Sequence, residues 1–361
     1  MVFLSLAAFA LGAAALWGWR HYQAFQAAPL TGLARDATVE VKSGDSFRGV
    51  LARLRAQGVE QGYDLEWLLL ARQLDAAGKL KVGEYALPPG ITPRTLLDDM
   101  RAGRVVQYRF TIVEGWNIRQ LRAALTQASP LQHRLGGLDD AALMAELGHP
   151  GQHPEGRFLP ETYLYGRSDS DLDVLRRAYA GMQKALAQAW VSRAPDLPLA
   201  SPEQALTLAS IVEKETAIAE ERAQIAGVFV RRLQRGMKLQ TDPSVIYGLG
   251  SAYDGNIRKV DLLADTPYNT YTRAGLTPTP IAMPGKAALE AATHPAAGAA
   301  LYFVALGDGS GRHVFSDTLD QHNAAVARYL QQLRHPPLPE EAPLQLPAAP
   351  PPEPPQHRKP R

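Results

Sequence analysis

The chain has 361 residues, 46% of them hydrophobic and 20% charged, the composition of a folded protein long enough for two domains. Its 38 basic and 36 acidic side chains nearly cancel to +2 and no basic run is interleaved with aromatics, so nucleic acid is excluded as an expected partner. Cysteine is absent, which excludes disulfides, thiolate metal sites and a cysteine nucleophile.

Residues 2–19, VFLSLAAFALGAAALWGW, carry no charge. As a helix they would extend about 27 Å, close to the roughly 30 Å of a hydrocarbon core. Trp17 and Trp19, followed by Arg20, His21 and Tyr22, have the order of an interfacial belt. The tryptophans, and the lack of a small-x-small site close behind the run, favour an uncleaved transmembrane anchor over residues 1–22 rather than a cleaved signal peptide. The basic residues after the run would by themselves leave the body of the protein in the cytoplasm. Residues 23–36 read as a linker.

Residues 37–104 read as a small α+β module. A short alternating strand and the turn Ser43-Gly44-Asp45-Ser46 precede a helix with Phe47, Val50, Leu51 and Leu54 on one face, stopped by Gly58. A second helix is expected over residues 64–74, then the strand KVGEYAL, then a helix opening at Thr92-Pro93 and ending near Gly103. Residues 105–334 begin with the strand-like VVQYRFTIVEG and form one larger α+β domain of helices, short strands and loops rich in glycine and proline. The stretch LYFVALGDGSGRHVFS within it reads as a hairpin turning at Asp308-Gly309. The proline-rich tail over residues 335–361 cannot build helices or sheets, and is expected to be disordered or a semi-rigid extension. A docking strand for a proline-binding partner is a minor alternative.

The most informative helix starts at Ser201-Pro202-Glu203-Gln204, where serine can cap, proline fits the first position, and glutamine can close a capping box. Continued through LASIVEKETA, it places Leu208, Ile211, Val212 and Ala219 on one stripe, with Glu203, Thr207, Ser210 and Lys214 opposite. Glu215 points into the apolar stripe, whereas Glu213 lies on the flank beside Ala209 and Ala217. A carboxyl among aliphatic side chains is hard to ionise and keeps its proton near neutral pH, as a general acid must. A structural pair with an arginine or a backbone group is the other reading of such an acid, and Glu213 reads as a supporting group.

Five ordered segments, EGRFLPETY, LASIVEKET, LQTDPSVIYGLG, YNTYTRAGLTPTPIAMPG and LYFVALGDGSGRHVFS with the following HNAAV, resemble the endolytic murein transglycosylases of the YceG-like type. The preceding VKSGDSF and KVGEYALPPGIT resemble that family's LysM-like module. The resemblance implies a single-pass protein of the bacterial inner membrane whose catalytic body lies in the periplasm and cuts nascent peptidoglycan glycan strands, working beside peptidoglycan synthases. It overrides the local charge count on topology. It also implies that the acid is the glutamate before threonine in SIVEKET, which is Glu215. In that chemistry one carboxyl protonates the β-1,4 bond after N-acetylmuramic acid, then takes the proton of the same sugar's C6 hydroxyl as it closes on C1, leaving a 1,6-anhydro end.

Such a reaction needs a groove with hydrogen-bonding and aromatic groups. Glu155, Glu161 and Tyr163 in the first segment are candidates to shape it. Thr241, Asp242, Tyr247, Tyr268, Asn269, Thr270 and Tyr271 are candidates to meet sugar hydroxyls and acetamido groups. The TPTPIAMPG run is expected to act as a stiff wall. His313 and Asn323 read as scaffold, and Leu306 stands where many relatives carry an acid.

No cofactor is expected. His149 and His153 have metal-ligand spacing, but proline and glycine between them deny the helix that would align them. GDGSG lacks the setting of a nucleophile elbow. The alternatives are a hydrolytic muramidase, with Asp242, Glu155 or Glu161 activating water, and a non-catalytic membrane-tethered scaffold that binds peptidoglycan.

Overall fold

The computed structural model describes residues 2–334, with side chains from residue 5 onward; the proline-rich tail lies outside the described residues. A long helix α1 (Val2–Ala27) leads into β1 (Thr38–Val41), α2 (Phe47–Ala56), α3 (Asp64–Gln73), β2 (Gly83–Ala86) and α4 (Pro93–Ala102). Then follow β3 (Tyr108–Thr111), α5 (Ile118–Thr126), α6 (Asp140–Glu146), β4 (Thr162–Tyr165) and α7 (Asp171–Val191). The last part holds α8 (Pro202–Glu215), α9 (Ala219–Gln234), α10 (Asp242–Leu249), α11 (Lys259–Leu263), α12 (Lys286–Thr293), β5 (Tyr302–Ala305), β6 (His313–Ser316) and α13 (Leu319–Arg334). The strands pair as three separate antiparallel ribbons, β1 with β2, β3 with β4 and β5 with β6. The fold is α+β, as expected.

The small module forms where local signals place it. The Ser46 side chain caps α2, and the four inward residues Phe47, Val50, Leu51 and Leu54 are buried. Thr92 caps α4 with Pro93 in its first turn, and Gly103 closes it at φ 78°, a left-handed conformation that suits glycine. Trp67, Tyr85 and Leu97 fill the core between these elements.

Residues 23–36 are not a free linker. Helix α1 runs through Ala27, and Phe25 and Leu30 are buried in the module core, with the Phe25 ring edge-on to Trp67 at 5.4 Å. Upstream, Leu6, Phe9, Leu11, Leu16, Trp17 and Trp19 are exposed. Among the described residues, no helix is long and apolar enough to cross a membrane. The described part of α1 upstream of Arg20 thus presents its apolar side chains on the outside.

Buried Glu84 joins the module to the rest. Its carboxylate accepts Arg167 Nε and Nη2 at 2.9 and 3.0 Å, with the hydroxyls of Tyr108 and Thr38 each at 2.7 Å. Burial alone would push its pKa up, but these donors hold it down to about 2.

Beyond the joint, α8 is the central helix. Residues 205–212 are buried on every side, against α7, α9 and α12. Of the polar face drawn by the helical wheel, Thr207 and Ser210 are therefore interior, whereas Glu203 and Lys214 near its ends are exposed. The Thr207 hydroxyl donates to the Glu203 carbonyl at 2.9 Å, and the Ser210 hydroxyl to the Thr207 carbonyl at 2.7 Å. Ser210 Oγ also accepts the Ile281 N–H at 2.9 Å, and Glu213 accepts the Gly285 N–H at 2.9 Å. The proline-rich run is thus a largely buried strap stapled along α8 rather than a wall. Gly156 passes beneath it at φ +77°, where a Cβ would lie 2.6 Å from Pro280 Cβ. Gly156→Ala is expected to lower stability by about 2 kcal/mol or more through backbone strain and overpacking, read as a lower urea midpoint at unchanged slope.

Candidate active site

Helix α8 stops at Glu215 because Thr216 is extended (φ −148°, ψ 138°) and its hydroxyl oxygen accepts the Ile218 N–H at 2.9 Å, which turns the chain into α9. Ala219 consequently belongs to the next helix and does not extend the stripe beside Glu215. The expected capping box is also altered, since Gln204 Oε1 accepts the Ala200 N–H at 2.6 Å rather than that of Ser201.

Glu215 is partly buried, and its partners are polar. The Thr241 hydroxyl donates to Glu215 Oε1. Thr241 is the N-cap residue of α10, yet its side chain makes no capping bond. That leaves out a contact typically worth about 1 kcal/mol to a helix. Burial pushes the Glu215 pKa up to about 7; the Thr241 bond opposes the shift, the Asp242 charge adds to it, and Arg232 opposes it. The carbonyl end of α8 also disfavours a negative charge at this position. The sequence reading of a proton-bearing acid agrees with this raised proton affinity, of which burial is the largest cause.

Several other candidates gather around this pair. Asp242 accepts the Tyr271 hydroxyl at 2.6 Å. Thr270 is buried behind Thr241, its Oγ1 accepting the Thr241 N–H at 3.0 Å and lying 2.9 Å from Ser244 Oγ. Asn269 is 1% exposed and fully occupied: its amide donates to the carbonyls of Asp261, Leu262 and Ala264, and its oxygen accepts the Tyr271 N–H at 2.8 Å. Thr270 and Asn269 therefore position the loop and are not open to a sugar.

Further along α10, the Tyr247 hydroxyl donates to Glu155 Oε2 at 3.0 Å, and the ring meets Tyr268 edge-on at 4.9 Å. The Tyr268 hydroxyl pairs with Thr279 at 2.9 Å. Glu155 is 0% exposed, and both its oxygens accept the Ile118 N–H at the start of α5. Its pKa is also pushed up to about 7 by burial, against those bonds. It is a strut between α5 and α10. Glu161 is exposed and pairs with Lys286 at 3.1 Å, and Tyr163 donates to the Leu159 carbonyl at 2.7 Å. These two do not join the cluster.

Glu213 has the supporting role expected of it, held by the Gly285 N–H and lying 3.9 Å from Arg222. His313 pairs with Glu221 at 2.8 Å, which ties β6 to α9, and Asn323 is exposed on α13. His149 stacks on Tyr179 at 3.9 Å, while His153 Nδ1 accepts the Glu155 N–H at 3.1 Å, so the two rings serve separate contacts.

Two residues beside the acid carry no pattern in the sequence. Arg232 is a buried arginine inside an otherwise ordinary helix, and Gln240 adopts φ 54°, rare for a residue with a side chain.

A model of the YceG-like family matches residues 39–328. The chain belongs to the YceG-like family. Among its YceG-like relatives, an endolytic murein transglycosylase of Bacillus subtilis is 30% identical over 309 residues, 81% of this chain and 84% of that protein. An endolytic murein transglycosylase of Streptococcus pneumoniae is 27% identical over 286 residues, 70% of this chain but 51% of that longer protein. The crystal structure of a YceG-like protein from Listeria monocytogenes matches with a TM-score of 0.50 and 28% identity, over 80% of this chain and 98% of that one.

The raised Glu215 pKa has a consequence for stability. The folded state holds this proton more tightly than the unfolded state, so stability is fullest below about 4.5 and declines as the pH rises toward 7. Glu215→Gln cannot ionise. In urea unfolding it is expected to exceed the wild type by up to about 3 kcal/mol at pH 8, with the gap closing near pH 4.5.

Proposed function

We propose that this protein is an endolytic peptidoglycan lytic transglycosylase in which Glu215 acts first as acid and then as base. The observation that carries the reading is a carboxyl held proton-bearing near neutral pH at the end of α8, with its Oε1 engaged by Thr241. The identity of the Bacillus and Streptococcus relatives as endolytic murein transglycosylases supports the same activity. Glu215 would protonate the oxygen of the β-1,4 bond between N-acetylmuramic acid and N-acetylglucosamine. As that bond breaks, the muramic acid C6 hydroxyl closes on C1 and returns its proton to the Glu215 carboxylate, leaving a 1,6-anhydro end. An internal nucleophile can reach an effective concentration of about 10⁵ M or more, so positioning takes the place of a second carboxylate.

The structure narrows the hydrolytic alternative. Glu155 is enclosed and Glu161 is paired with Lys286, which leaves Asp242 as the carboxylate beside Glu215 that could activate water. Product mass separates the readings, because a hydrolysed reducing end is about 18 Da heavier than an anhydro end through one added water.

The surroundings of the reaction form part of the proposal. The strand, helix, helix, strand order of the module fits a LysM-like glycan holder, and a pocket of about 530 Å³ between α2 and α3, lined by Arg48, Leu51, Arg55 and Leu68 among others, could receive a glycan strand. We place the protein at the bacterial inner membrane with its body in the periplasm, tethered by the exposed apolar side chains of α1. There it would act on strands emerging from peptidoglycan synthases and terminate them.

Two experiments test these points. Digestion of uncrosslinked glycan strands is expected to give anhydro-ended products with the wild type and with Glu213→Gln, and none with Glu215→Gln; the rate should fall as pH rises through about 7. Hydrated ends, or activity retained by Glu215→Gln, would refute the mechanism. The full chain should sediment with membranes, whereas deletion of residues 1–19, which spares the buried Phe25, should release a folded soluble protein. A deletion variant still sedimenting with the membrane would exclude α1 as the tether.

A further inference from the structure

Arg232, on α9, is 7% exposed, and its hydrogen bonds all go to carbonyl or amide oxygens. Nε donates to the Leu301 carbonyl at 2.7 Å; Nη1 donates to the carbonyls of Leu239 and Lys238 at 2.7 and 3.2 Å and to Gln240 Oε1 at 3.4 Å. The guanidinium also lies over the Tyr302 ring, 5.1 Å from its centre. One planar fork thus fastens the entry to β5 to the segment 238–240. That segment needs fastening, because Gln240 is left-handed at φ 54°, a conformation that is strained for a residue with a side chain. The next residue is Thr241, whose hydroxyl reaches Glu215.

We propose that Arg232 is the positioning residue of the acid: its fork holds the 238–240 turn that aims Thr241 at Glu215, and it supplies a buried positive charge toward the carboxylate formed when Glu215 gives up its proton. This rests on the assignment of Glu215 as acid. Three charged or titratable groups face Glu215 from neighbouring elements: Arg232 from α9, Asp242 from α10 and Tyr271 from the loop after Asn269. Asp242 raises the Glu215 pKa and Arg232 lowers it. Lysine cannot replace this arginine, because a single ammonium cannot reproduce the planar fork that engages Leu301 and Leu239 together.

The test separates fork from charge in the full-length protein. Arg232→Lys keeps a charge and loses the fork; kcat on uncrosslinked glycan should fall by about tenfold to a hundredfold with KM changed less than about threefold, and the alkaline limb of the pH profile should stay in place. Arg232→Met loses both, and its alkaline limb should move up by about half a pH unit or more. A substrate-free readout accompanies both variants: the carboxyl ¹³C titration of Glu215, identified by the signal lost in Glu215→Gln, should move upward in Arg232→Met and not in Arg232→Lys. Wild-type kcat in Arg232→Lys would overturn the fork, and an unmoved limb and titration in Arg232→Met would overturn the charge. If Arg232→Met does not fold, Arg232→Lys decides alone. If the wild type releases no anhydro ends while the Arg232→Met titration still shifts, the proposed activity falls and the link between Arg232 and Glu215 stands.

Discussion

The bond from the Thr241 hydroxyl to Glu215 joins the last residue of α8 to the N-cap of α10, and much of the larger domain serves to bring those two ends together. Neither residue can be moved alone. Glu215 is fixed because α8 is enclosed by α7, α9 and α12 and laced to the 277–285 strap through Ser210 and Glu213. Thr241 is fixed because Thr270 holds its N–H and the turn before it is fastened from α9. The helix termini reinforce the arrangement. A carboxyl at the carbonyl end of a helix resists ionisation, whereas a threonine at the start of one has a hydroxyl that can be diverted from capping.

The three two-stranded ribbons are too small to organise the molecule by themselves, and each works as a brace between helical parts. The β1–β2 ribbon carries Glu84, whose buried carboxylate gathers Arg167, Tyr108 and Thr38 at the joint with the larger domain. The β5–β6 ribbon is anchored to α9 twice, by Arg232 on the Leu301 carbonyl and by Glu221 on His313. Helix α9 therefore transmits the placement of that ribbon to the turn beside the acid.

What the sequence made legible follows from how local each signal is. Helices α2 and α4 could be read to within a residue or two because their caps, inward residues and closing glycines lie within a few positions of one another. The start of α8 was legible for the same reason. Its end was not, since the break at Thr216 depends on a hydroxyl turn and on packing that encloses the whole helix. The wheel selected Glu215 but assigned it neighbours from its own helix, whereas Thr241, Asp242 and Arg232 reach it from other elements. Asn269 and Thr270 were recognisable as polar, but only the closed loop reveals that their hydrogen-bonding capacity is spent internally. Gln240 gives no warning, because a left-handed glutamine has no sequence mark.

Glu155 shows why a raised pKa does not by itself identify the acid. Burial brings it to about 7, the same value as Glu215, yet the two carboxyls have different capacities for chemistry. Both oxygens of Glu155 are engaged, by the Ile118 N–H and the Tyr247 hydroxyl, and no part of the residue is exposed. A proton there has no route to a substrate. Glu215 is only partly covered, and among the described residues its Oε2 has no hydrogen-bond partner, so one oxygen is held by Thr241 while the other is unspent. Burial therefore raises the proton affinity of both residues, and the unspent oxygen is what sets the proposed acid apart from the strut.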